Sequence, residues 1–225
     1  MNGSATRESQ RAQLLEIARR AVEESGPEVL RARALTAAAG TSTQAIYTHF
    51  GGMPGLLEAI VADGFARFAA HVAAVPESED PVADFFAKGW AFGEWALTHP
   101  QLYRLMFGLT GGGLRRHTGL EMSVAGTVAN SPEAQSAVDV LVRSMQRVLD
   151  SGRIDPVDPV VAAGQFLSAT HGYVLLEIAE TFGPRGDGLP IALALAVNLM
   201  VGLGDSRATA TGSLEAVEAS KGVPD

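Results

Sequence analysis

The sequence predicts an all-α protein of about nine helices. Apolar residues recur at three- and four-residue spacing along most of the chain, and nearly every junction between such segments carries Gly or Pro. No stretch alternates apolar and polar residues with a period of two, so no sheet is expected. With 225 residues, 47% hydrophobic and 19% charged, the chain is long and apolar enough to bury a core.

Leu14, Ile17, Ala18, Ala21 and Val22 form one stripe of the first helix, with Glu16, Arg19, Arg20, Glu23 and Glu24 opposite. Gly26-Pro27 ends it. A second helix is expected over 29–39, its inner face made by Leu30, Ala34, Leu35 and Ala38, and Gly40 closes it. Ser42 stands at the N-cap position of a third helix, 43–49, which Gly51-Gly52 terminates. Pro54 suits the first turn of a fourth helix reaching Val75, with Leu57, Ile60, Val61, Phe65, Phe68 and Val72 at helical spacing. Further helices are expected at 81–98, 101–108, 132–151, 156–182 and 189–203. Residues 110–131 read as a loop, and residues 206–225 as a disordered tail of small polar side chains. Asp155, Asp158 and Glu177 read as cap and surface groups.

Composition excludes several function classes. With no cysteine there is no disulfide framework, thiolate metal site or catalytic thiol, which suits a reducing cytoplasm. The N-terminus lacks a basic segment followed by an apolar run, so no secretion signal is expected. The apolar run from Leu189 to Gly204 is shorter than the roughly 20 residues of a membrane span, so no membrane partner is expected. The five histidines show neither HxxxH nor HExxH spacing, and Gly111 to Gly113 precedes no Lys-Ser or Lys-Thr pair. With no nucleophile elbow either, the expectation is no metal, no cofactor and no enzyme.

The informative segment is RALTAAAGTSTQAIYTHFGG, Arg33 to Gly52. Two short helices meeting at a glycine turn make a helix-turn-helix, over about residues 32–51. At 100° per residue, Ile46 and Phe50 point inward, Gln44 and Thr48 lie nearly opposite, and Tyr47 flanks them. Gln can bond adenine with both amide atoms, and Thr can pack on a thymine methyl. Arg33, Ser42, Thr43, Tyr47 and His49 complete the candidate DNA-binding set with Gln44 and Thr48, mostly as contacts to the phosphate backbone. Charge is compatible with this role. Residues 1–62 balance six arginines against six acids, so the whole net charge of −8 falls on the remainder.

These residues carry a resemblance. RALTAAAGTSTQAIYTHFGGMPGLLEAI resembles the DNA-binding head of the TetR family, whose pattern ends in Tyr-x-His-Phe, a turn and Leu-Leu. HPQLYRLMFG (99–108) and DPVVAAGQFLSATHGYVLLEIAETF (158–182) resemble a C-terminal class of that family with a His-Gly pair, here His171-Gly172, in its long penultimate helix. The pattern departs at Thr41 and Thr36, and at Met53, where the family often has a phosphate-contacting Lys that Arg11, Arg31 or Arg33 would replace.

The resemblance implies a DNA-binding domain at 1–56, a ligand-binding and dimerisation domain at 57–205, an effector cavity between the middle helices and a four-helix dimer interface from the last two. The implied function is a repressor released from a palindromic operator in double-stranded DNA by a small apolar effector. The alternative is a helical small-molecule carrier or protein-binding module without operator binding. The apolar circumference of IALALAVNLMVGLG supports a homodimer on its own, because such a helix must bury two faces.

Trp90, Trp95, Tyr103, Met106 and Phe107 are candidate effector contacts from an aromatic cluster whose first reading, residue by residue, is core. Met145, Gln146, Phe166 and Thr170 are a candidate opposite wall, with Gln165 as a polar handle. His171 reads as a ligand contact, a dimer contact or a satisfied core histidine.

Overall fold

The computed structural model describes residues 2–109, 122–123, 126–127 and 131–222, and is helical apart from one pair of two-residue strands. These strands, β1 (Met122–Ser123) and β2 (Gly126–Thr127), fall in the expected loop, whose other residues lie outside the described ones. The chain forms two compact units: Met1–Arg67, His99–Met122 and Val128–Gln135 make the first, and the remainder makes the second. This division differs from the expected boundary near 56, because α4 (Met53–Ala73) contributes to the first unit as far as Arg67.

The first unit holds α1 (Asn2–Ser25), a 3-10 turn at Pro27–Val29, α2 (Ala32–Ala38), α3 (Thr43–Phe50), most of α4, and α6 (Pro100–Met106). Its core is the α1 stripe of Leu14, Ala18 and Val22 with Leu56, Ile60 and Phe65 of α4 and Leu102, Tyr103 and Met106 of α6, all fully buried. Phe107 sets its ring edge-on to Phe65 at 5.5 Å and tilted to Tyr103 at 4.8 Å.

Arg19 belongs to the buried side and not to the far side of α1. Its guanidinium meets Glu16 at 2.7 Å, Glu23 at 2.6 Å and Asp63 of α4 at 3.7 Å, so a charge enters the core edge with its partners. The hydrogen bonds from Arg19 and then Arg20 pull the Glu16 carboxyl down to about 2.

The second helix begins at Ala32, later than expected, because Leu30 and Arg31 are extended after the 3-10 turn. Its buried residues are Leu35 and Thr36, while Ala34 and Ala38 are exposed. Thr36 is accommodated because its hydroxyl donates to the Ala32 carbonyl at 2.9 Å.

The second unit holds α5 (Pro81–Thr98), most of α7 (Pro132–Asp150), α8 (Pro159–Ile178), α9 (Leu189–Gly202) and α10 (Arg207–Lys221). Phe85 and Phe86 of α5 pack with Met145 and Val148 of α7, Phe166 of α8, Met200 of α9 and Leu214 of α10.

The expected disordered tail is therefore wrong over most of its length. Ser206 caps α10 by accepting from the Thr209 amide at 3.1 Å, and Ala210, Leu214 and Val217 are buried. Ser213 donates to Asp80 at 2.6 Å, tying the helix to the start of α5. Small residues suffice for a tight helix contact, so low hydrophobicity concealed the stripe.

Helix α8 is shorter than expected: it starts after the Asp158 cap, which accepts from the Val160 amide at 2.8 Å, and stops before Glu180, in the left-handed region at φ 54°. The turn that follows folds back onto Glu177. That residue is 2% exposed and accepts from the Gly186 amide, so it is not the surface group expected. Gly188 packs so closely on this carboxylate and on Phe182 that a β-carbon there would collide with both.

Candidate nucleic-acid interface and effector-site residues

The turn into the third helix is built by the backbone. Gly40 takes φ 63°, the Gly40 amide donates to Ala37 at 3.1 Å, and the Thr41 amide reaches back to Thr36 at 2.8 Å. This pair of bonds closes α2 with glycine in the left-handed position. Ser42 then occupies the N-cap of α3 in an extended conformation, without the side-chain cap bond that its position suggests. Gly51, at φ 72°, ends the helix after two turns.

Within α3, Ala45 and Ile46 are buried, Phe50 is half-buried, and Ser42, Thr43, Gln44, Tyr47 and Thr48 are exposed. Ile46 is 1% exposed and Tyr47 63% exposed, so neighbours on one short helix point in opposing directions. The angular placement expected from the sequence holds for the polar residues. Inward, Ala45 shares with Ile46 the anchoring expected of Phe50. The Thr48 hydroxyl donates to the Gln44 carbonyl at 2.9 Å, which leaves its methyl and lone pairs for an outside partner.

Of the expected basic donors, Arg11, Arg31 and Arg33 are all exposed, and Arg31 donates to the Glu28 and Leu30 carbonyls at 2.6 and 2.9 Å. Arg11 lies over the Phe50 ring at 5.1 Å. Sequence reasoning missed Gln10 of α1. Its amide donates to Thr41 Oγ1 at 2.8 Å, and its Oε1 lies 3.0 Å from His49 Nε2. No pattern within α1 marks this residue, because its partners lie 31 and 39 residues away.

The candidate effector contacts divide between the two units. Tyr103 and Met106 are fully buried in the first, beside half-buried Phe107. Burial drives the Tyr103 phenol well above its ordinary value, so it is a neutral hydroxyl. Trp90, Trp95, Gln146, Gln165, Phe166 and His171 belong to the second unit.

Phe68 meets Phe92 at 4.9 Å and Trp95 at 5.2 Å, and Phe92 meets His171 at 5.5 Å, each ring edge-on to its neighbour. Trp90 is half-buried. Burial lowers the His171 imidazole to about 4, so it is neutral at physiological pH. Gly93 of α5 is buried, yet among the described residues, its chain neighbours and own helix backbone aside, a β-carbon on it would meet no atom within 4 Å. Among the described residues there is therefore room for a methyl group at this point of α5.

Gln146, expected in the opposite wall, and Gln165, expected as a polar handle, do not fit those places. Both are exposed, and Gln146 donates to Asp150 one turn on at 2.8 Å. The neighbouring Met145 and Phe166 are the buried residues on these helices. Among the described residues no group of three or more His, Cys, Asp or Glu side chains is arranged to hold a metal ion, and no helix is long and apolar enough to cross a membrane.

Residues 14–60 match the bacterial regulatory proteins of the tetR family, and residues 85–197 match the tetracyclin repressor-like C-terminal domain. No curated protein sequence matches the chain. Among solved structures, a Rhodococcus sp. RHA1 protein of unknown function is similar at 26% identity and TM-score 0.69, covering 86% of this chain and 94% of its own. RolR bound to resorcinol is similar at 19% identity and TM-score 0.62, over 94% of this chain and 95% of its own. A tetR-family transcriptional regulator from Streptomyces coelicolor shares 16% identity at TM-score 0.62, over 94% and 89%. The two matches together span the helix-turn-helix and the helical body, and the chain belongs to the TetR family of DNA-binding transcriptional regulators.

Proposed function

We propose that the protein is a cytoplasmic homodimeric repressor that holds a near-palindromic operator through paired α3 helices and releases it when a small apolar effector enters the second unit. The observation that carries this is the exposure of Gln44, Tyr47 and Thr48 on a helix anchored by Ile46. Two such helices related by a twofold axis would read half-sites in successive major grooves. In this reading Gln44 and Thr48 read bases, while Arg33, Ser42, Thr43, Tyr47 and the neighbourhood of His49 contact the backbone.

Gln44→Ala is expected to weaken binding to a duplex selected by the wild-type protein by about 1–3 kcal/mol, with the loss concentrated at one base pair. Competition gel shifts with single-base variants of that duplex measure it. An unchanged base preference would remove Gln44 from the reading surface.

The dimer reading rests on apolar side chains left uncovered in the single chain. Ile191 and Leu195 lie one turn apart on α9, 50% and 37% exposed, and Leu176 of α8 is 44% exposed. A second copy that covers them would complete the burial that the composition of α9 demands. Leu195→Arg is expected to shift the protein to monomer in sedimentation velocity while its helical circular dichroism is retained. A variant that stays dimeric would place the interface elsewhere.

The effector reading draws on the room beside Gly93, the aromatic cluster of Phe92 and Trp95, and the neutral His171. An uncharged lining of this kind suits an uncharged ring, and RolR, which shares the fold, binds resorcinol. Helix α4 is the proposed lever, since it contributes residues to both units. A coupling of about 1–3 kcal/mol between effector and operator would change occupancy roughly 5–150-fold.

A further inference from the structure

We propose that Gln10 is a positioning residue for DNA binding, which pins both ends of the recognition helix to α1 and keeps a proton on His49 Nε2. The inference rests on the reading of α3 as the DNA-contacting helix. A carboxamide has one donor group and one acceptor atom, and here each is committed. The amide nitrogen donates to Thr41 Oγ1 at 2.8 Å, just before α3, and the oxygen faces His49 Nε2 at 3.0 Å, near its end.

One side chain can serve both ends because side chains on a helix lean toward its N-terminus. The His49 ring thus leans back along α3 toward the turn that holds Thr41. A two-turn helix is too short to be stable by itself, so its orientation is set by contacts of this kind. Arg11, one residue further along α1, adds a third contact by lying over Phe50, whose ring is edge-on to His49 at 6.3 Å.

The hydrogen-bond directions have a chemical consequence. Nε2 faces an oxygen that can only accept, so Nε2 carries the proton and the lone pair of the neutral ring sits on Nδ1. In that tautomer His49 has no second N–H for a phosphate. Its contribution is the register of α3, and phosphate donation falls to Tyr47, Thr43 and Arg33.

Three proteins test this: wild type, Gln10→Ala and Gln10→Glu. The first readout is the ring-nitrogen NMR signature of His49, which a merely structural role for Gln10 would leave unmoved. Wild type is expected to show the proton on Nε2. Gln10→Ala is expected to show a tautomer mixture, and Gln10→Glu, which keeps an acceptor opposite Nε2, to keep the proton on Nε2.

The second readout is retention of duplexes selected from a randomised pool by the wild-type protein. Gln10→Ala should weaken retention about 5- to 10-fold with helical content unchanged. A proton on Nδ1 in wild type, which would mean the carboxamide is turned the other way, overturns the proposal. So does undiminished retention by Gln10→Ala. If wild-type protein selects no duplex at all, the regulator reading itself fails and the role of Gln10 with it, whereas loss confined to the Gln10→Ala sample supports both.

Discussion

Asp205→Ala is expected to lower the stability of the second unit by about 3–5 kcal/mol, nearer the lower value because its arginine partner keeps some solvent. Asp205 sits where α9 passes into α10, with its side chain 3% exposed. Arg153 grips it with two bonds, Nη2 to Oδ2 at 2.6 Å and Nε to Oδ1 at 3.1 Å, and the Thr209 hydroxyl donates at 2.6 Å. The same guanidinium reaches Asp80 at 3.2 Å, which also accepts from Ser213 of α10. Removing the carboxylate leaves the guanidinium on Asp80 and Ser213, without its bidentate partner, and frees the start of α10.

Desolvation pushes the Asp205 carboxyl upward, but the bonds from Arg153 and Thr209 outweigh it, and the group ends below its ordinary 3.8. A carboxyl depressed in the folded state stabilises fully above its unfolded value, and the contribution disappears as pH falls through the folded one. Wild type is thus expected to lose stability faster than Asp205→Ala below pH 3.8. Urea midpoints at neutral and acid pH measure both effects. A change under about 1 kcal/mol at neutral pH would mean that solvent screens this network as it does a surface pair.

The parts of the fold that sequence exposed and those it hid differ in a physical way. Helix-turn-helix geometry is local: Gly40 and Gly51 must take positive φ, and the phase of α3 follows from Ile46, so spacing alone placed Gln44, Tyr47 and Thr48 outside. Polar groups that become buried through distant partners left no such trace. Arg19 looked like a solvent residue because Asp63 and the geometry of its glutamates were not visible. Glu177 looked like one because the Gly186 amide that it accepts comes from beyond the end of its helix.

The stripe of α10 was hidden differently, since Ala210 and Ser213 bury little apolar area although their helix is firmly packed. For the candidate effector residues, periodicity separated buried Trp95 and Phe166 from nothing. Gln146 and Gln165 were chosen for chemistry, and each proved to lie one residue from a buried neighbour.

Ile46→Ala is expected to cost about 2–5 kcal/mol, the range for truncating a buried aliphatic side chain, and to abolish operator retention near physiological temperature. The side chain is 1% exposed and anchors a helix of eight residues between two left-handed glycines. Neither flanking glycine adds apolar burial, so tertiary packing must supply what the short helix lacks. The variant is informative beside Gln44→Ala because the two act on different terms. Loss of Gln44 changes what the helix says to a base pair and leaves unfolding midpoints alone. Loss of Ile46 changes whether the helix is presented at all, so binding to selected and unselected duplexes falls together with the midpoint. If Ile46→Ala bound its duplex normally at full occupancy, Ala45 and the Gln10 and Arg11 contacts would suffice to hold α3, and the Ile46 anchor would cease to explain which face meets DNA.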